Sequence, residues 1–163
     1  MTNRLLLNAL DRAYNRQSWH GTNLRGSLRG IAAAQASRRP GAGRHNIWEL
    51  AVHCAYWKYA VWRRLTRADR GSFPLEGSNF FARPEGPATD AAWKADLALL
   101  EAMHRQLREA VARLTPRDLA RRAKGSPFTN ADLVLGAAAH DLYHAGQVQL
   151  IKVLKGMKGR GRG

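Results

Sequence analysis

Apolar residues in this chain recur at steps of four and three along four long segments, and no stretch of useful length alternates in the manner of a strand. Such a chain has to fold as amphipathic helices that hide their seams against one another. The first segment runs from about Asn3 to Ile31, stepping through Leu10, Tyr14, Gln17, Gly21, Leu24, Leu28 and Ile31. Gly21, Gly26 and Gly30 weaken it, and a break is expected near Trp19, His20 and Gly21. The second covers 47–66: Asn46 is its N-cap and Glu49 the acid at the third helical position. The third, 90–114, steps through Trp93, Leu97, Leu100, His104, Leu107, Val111 and Leu114 and stops at Thr115-Pro116. The last, 131–155, follows a Thr129/Asp132 capping pair, with the seam Leu133, Ala137, His140, His144, Gln147, Ile151, Leu154. Between the second and third lies a proline- and glycine-rich crossover, residues 70–89, which has no period. The expected architecture is an all-α four-helix bundle.

At 163 residues with 45% hydrophobic content, one domain with a real core is expected over 1–155, followed by a basic Gly/Arg-rich tail, 156–163, read as disordered. No apolar stretch reaches the ~20 residues that cross a bilayer, and the leucines near the N-terminus are interrupted by charge. Cys54 is the sole cysteine, so no intrachain disulfide can form and the cytoplasm is the expected location. The net charge of +15 raises nucleic acid as a partner. The arginines are spread along helix faces, however, and no helix-turn-helix or aromatic-basic reader motif accompanies them, so nucleic acid is not the expected partner.

The informative positions are histidines. His140 and His144, one turn apart on the last helix, can aim both imidazoles at one point. The second helix has the seam Leu50, His53, Trp57, Ala60, placing a third imidazole inward. Three unpartnered buried imidazoles would cost several kcal/mol, roughly 2 or more each. A shared cation would remove that cost, and so would separate hydrogen bonds in the core; spacing alone leaves both open.

The segment Asn46-Ile47-Trp48-Glu49-Leu50-Ala51-Val52-His53 resembles the second-helix motif of the DinB/YfiT-like superfamily, and His140-Asp141-Leu142-Tyr143-His144-Ala145-Gly146-Gln147 resembles its last-helix hallmark. Trp19-His20-Gly21, Leu28-Arg29-Gly30 and Pro40 fit its first helix and following loop. The resemblance implies an up-up-down-down bundle with a long crossover between helices two and three. It further implies a divalent metal (zinc, nickel or iron) held by His53, His140 and His144. Three neutral imidazoles leave a coordination position open, where a water or a thiol is activated.

The expected function is a metal-dependent enzyme acting on a small-molecule substrate, a thiol-dependent S-transferase or a hydrolase, because better understood relatives use low-molecular-weight thiols. The alternatives are a non-catalytic, metal-stabilised dimeric bundle and, behind it, a basic nucleic-acid binder; a homodimer is the expected assembly. Glu49, one turn before His53, and Gln147, one turn after His144, are the candidate catalytic helpers, although its capping role already explains Glu49 and helix packing accounts for Gln147 equally well. His104 is a further seam histidine, and His20 is expected near the pocket mouth. Phe80 and Phe81 in the crossover are expected to meet an apolar substrate. Cys54, rotated about 100° from His53 on an ideal helix, reads as a small buried hydrophobe.

Overall fold

The computed structural model describes residues 3–123 and 125–157. Among the described residues seven helices follow in order: α1 (Asn3–Tyr14), α2 (Leu24–Leu28), α3 (Ala33–Ala36), α4 (Ile47–Thr66), α5 (Asp90–Ala112), α6 (Pro116–Ala120) and α7 (Asn130–Leu154). Among the described residues the only β-type pairing is one isolated bridge, Arg122 to Thr129. The protein is all-α. The reading of 156–163 as a disordered tail lies, from 158 on, outside the described residues.

Four of the helices form the bundle. α4 packs against α5 and α7, and α1 closes the ring by packing against the same two; α2 lies on α7. Caps set the helix starts. Asn46 accepts from the Glu49 amide at 2.7 Å while Glu49 reaches back to the Asn46 amide at 3.3 Å, and Thr129 with Asp132 does the same for α7. Thr115, expected only to end the third helix, also caps the extra turn α6.

The first segment is not one helix. After Tyr14 the chain turns through 15–23, then makes the two short helices α2 and α3, with Gly21 at φ 114° and Gly30 at φ 73°. Only glycine takes those angles freely, which is why the helix cannot run through them. Leu24, Leu28 and Ile31 are buried nonetheless, so the four-and-three pattern reports a shared core, whereas Gln17 and Gly21 are exposed.

The core joins Trp48 and Trp93, tilted at 5.1 Å between centroids, to Phe73 and Phe81 of the crossover. Leu6, Leu10, Val61, Leu65, Leu107, Val111 and Val134 fill the other end. The crossover is tied down at several points. Asn46 Nδ2 donates to the Arg83 carbonyl at 2.8 Å, and Arg83 pairs with Asp96, which also accepts from Trp48 Nε1.

A buried ion pair and a buried imidazole stand out among the polar groups inside this core. Lys58 of α4 and Asp141 of α7 form an ion pair with both side chains only 1% exposed. His104 of α5 is stacked on Tyr14 at 3.9 Å and has no hydrogen bond on either ring nitrogen. Burial, with the positive charges of Lys58 and Arg108, pushes its pKa from 6.5 down to about 3. The unfolded chain therefore takes up a proton below pH 6.5 that the folded one refuses, and His104 costs stability as pH falls from 6.5 toward 3. His104→Phe, which keeps the stack, is expected to flatten the fall of the urea midpoint across that window. An unchanged acid limb in the variant would contradict this.

Candidate metal centre

α4 and α7 bring His53, His140 and His144 to one point. His53 Nε2 lies 3.0 Å from His140 Nε2, and His144 Nε2 lies 3.1 Å from the same atom. The remaining ring nitrogens fix the tautomers. His53 Nδ1 is 2.8 Å from the Asn79 carbonyl oxygen, which can only accept, so Nδ1 carries the proton and Nε2 presents a lone pair. His144 Nδ1 likewise donates to Gln147 Oε1 at 2.7 Å. Second partners of this kind are what hold ligating imidazoles in orientation.

Burial pushes the pKa of His53 down to about 4 and that of His140 to about 3, in each case with further lowering from neighbouring imidazoles; burial lowers His144 as well. All three are neutral at pH 7, the form a metal requires. Three nitrogens each ~2.0–2.1 Å from one tetrahedral ion would lie roughly 3.3 Å apart, close to the separations found. The donor set fits a divalent cation with a position to spare. Cys54, His140 and Asp141 form a second cluster with ligand atoms in mutual reach. There, however, Cys54 is fully buried and its thiol pKa is pushed well up, and Asp141 is committed to Lys58. The three-histidine cluster is the better donor set.

The imidazoles line a cavity of about 1070 Å³. Leu50, Trp57, Phe80, Tyr143, Leu150, Ile151 and Leu154 supply its apolar wall, and Arg44, His45, Asn79 and Gln147 its polar groups; among the described residues no carboxylate lines it. Of the crossover aromatics, Phe80 faces the cavity while Phe81 is buried against Tyr56 and Phe73, so only the former can meet a ligand there. His20 is exposed and His104 sits in the core beside Tyr14; neither lines the cavity.

Gln147 both lines the cavity and holds His144. Glu49 is placed differently. Its carboxylate closes the α4 capping box, pairs with Arg39 and accepts from His45 Nδ1 at 2.9 Å, and it does not line the cavity. Two contributors escape the sequence patterns. Asn79, at φ 67° in the crossover, binds His53 through its carbonyl and takes the Trp57 indole N–H on its side chain at 3.0 Å. His45 lies outside any helical seam, and only its position just before the N-cap could have drawn notice.

A sequence profile of the DinB superfamily matches residues 16–148. No curated protein matches the chain. The crystal structure of a conserved protein from Enterococcus faecalis overlays with a TM-score of 0.71 at 18% identity, covering 96% of this chain and 98% of that one. At that identity the likeness is one of fold.

Proposed function

Because the chain belongs to the DinB superfamily, we propose that it is a metal-dependent enzyme whose His53, His140 and His144 hold one divalent cation, zinc, nickel or iron. In this reading it transfers a low-molecular-weight thiol to or from a small molecule, with hydrolysis as the alternative reaction. The observation that carries the proposal is the convergence of three neutral imidazole nitrogens at the wall of an apolar cavity. When bound, the cation supplies a Lewis acid that makes a thiol or water more acidic.

The protein's own groups do the rest. Asn79 and Gln147 keep His53 and His144 from turning, and the Gln147 amide N–H groups remain free to orient a ligand once its oxygen is engaged by His144. Leu50, Phe80 and Ile151 pack against the ligand's apolar body. A free low-molecular-weight thiol is a cytoplasmic reagent, and that is where we place the reaction; no helix among the described residues is long and apolar enough to cross a membrane. Leu150, Val153 and Leu154, exposed at the end of α7, suit a second copy of the chain and support a homodimer.

Protein loaded with one equivalent of zinc or nickel is expected to couple a thiol to an electrophilic aromatic probe, with the rate tracking bound metal. Gln147→Ala is expected to keep the metal and lose roughly 10–100-fold in rate. Full metal occupancy with no turnover above the metal-free protein, in a dimer, would favour the non-catalytic alternative instead.

A further inference from the structure

A helix on the surface of a bundle ordinarily turns charged residues to water. α1 exposes Arg4 and Arg12, α4 exposes Arg64, and α5 exposes Lys94 and Arg105. α7 does not follow them: no exposed residue between Asp132 and Lys155 is charged, in a chain of net charge +15. Tyr143 is 64% exposed there, Leu150 58%, Val153 77% and Leu154 64%. With Leu135 these side chains leave roughly 500 Å² of apolar surface in water, a patch of the size that marks a contact face and a large part of the ~800 Å² one partner brings to a specific interface. Gly136 and Gly146 lie on the same strip, and a Cβ at either would meet no neighbouring group within 4 Å. Glycine inside a helix costs stability, and nothing in the single chain requires it at these two places. The close approach of a second helix does.

We propose that a second copy of the chain covers this strip, α7 against α7, antiparallel, about a two-fold axis midway between Tyr143 and Gly146; this rests on the homodimer reading above and gives it a face and a register. Ala139, Tyr143, Gly146, Leu150 and Val153 step by four and three, the spacing of helices that pack along their length. In a two-fold pair each contact between two positions occurs twice. With the axis at the middle of the strip, Tyr143 lies on Gly146 of the other copy and Leu150 on its Ala139. Gly136 receives Val153 and Leu154, with Leu135 beside Val153. Bulky side chains thus meet small ones. A parallel pair would instead set Tyr143 on Tyr143 and leave glycine opposite glycine.

Charge agrees with the same direction. The antiparallel arrangement brings Asp132, in the first turn of each α7, toward the end of the other, where Lys152 and Lys155 lie. The pairing also bears on the site. Tyr143, Leu150 and Leu154 line the metal cavity as well as the strip. The second copy therefore completes the cavity wall on that side with its Gly146, Ala139 and Gly136, and a single chain leaves it open there.

Sedimentation equilibrium of the full-length protein at micromolar concentration is expected to give twice the chain mass of 18.1 kDa. Gly146→Arg, at a position where the single chain has room, is expected to give a monomer that keeps its helix content. Cysteine variants and a short bismaleimide read the register, since Cys54 is fully buried. Ala139→Cys combined with Leu150→Cys is expected to link two chains. Neither variant alone is, because each position stands roughly 16 Å along the axis from its own copy, eleven residues at about 1.5 Å each. A dimer that survives Gly146→Arg, or that links through Ala139→Cys alone, keeps the homodimer reading and overturns this face and register. A monomeric wild type overturns both, and its co-sedimentation with phosphatidylcholine vesicles would assign the strip to a lipid surface.

Discussion

Lys58→Met is expected to cost about 3–5 kcal/mol of stability, the usual consequence of leaving one member of a buried ion pair without its partner. The variant leaves the Asp141 carboxylate buried between α4 and α7, with its Oδ1 already lacking a hydrogen bond and its pKa already raised by burial. Against the ~5–15 kcal/mol that holds an ordinary domain, that loss is a large fraction. Replacing both members, Lys58→Met with Asp141→Leu, is expected to recover most of it, since an apolar pair of similar volume has no charge to desolvate. Urea unfolding of the two single variants and the double completes the cycle. Single variants within about 1 kcal/mol of wild type would mean that the pair is open to water and does not tie the two helices together.

The second large effect falls on the metal. His140→Ala with His144→Ala removes two of three nitrogens and leaves His53 alone, so stoichiometric binding of a divalent ion is expected to vanish. Wild type should retain one equivalent through gel filtration. Its thermal midpoint should also rise with metal concentration, because binding adds about 2.7 kcal/mol of stability when free metal is a hundred times the dissociation constant. A full equivalent retained by the double variant would place the metal elsewhere.

Much of this was legible in the residues, for reasons that are local. Asn46 and Glu49 cap α4 as their spacing predicts, and the 47–66 boundary is met at both ends, because a capping box is chemistry confined to four residues. His140 and His144 sit on one face because four residues are about one turn.

What eluded the pattern is tertiary. Of the expected α7 seam Ala137, His144 and Ile151 are buried, whereas Leu133 and Gln147 are partly exposed and Leu154 mostly exposed; the buried stripe widens instead through Val134, Ala138, Asp141, Ala145 and Val148. An aspartate occupies that stripe, and nothing in a single sequence says that Asp141 will find Lys58. His140, half-buried at the edge of the stripe, opens onto the cavity. His45 and Asn79 belong to loops, where side-chain direction follows from how the crossover folds back and no periodicity announces it.

X-ray absorption on protein carrying one equivalent of zinc tests the central claim most directly, because it reads the atoms around the ion. Ligation by His53, His140 and His144 predicts only nitrogen and oxygen neighbours at about 2.0–2.2 Å, with the outer-shell scattering of three imidazoles. A sulfur neighbour at about 2.3 Å, the mark of Cys54 and the competing cluster it forms with His140 and Asp141, would contradict it.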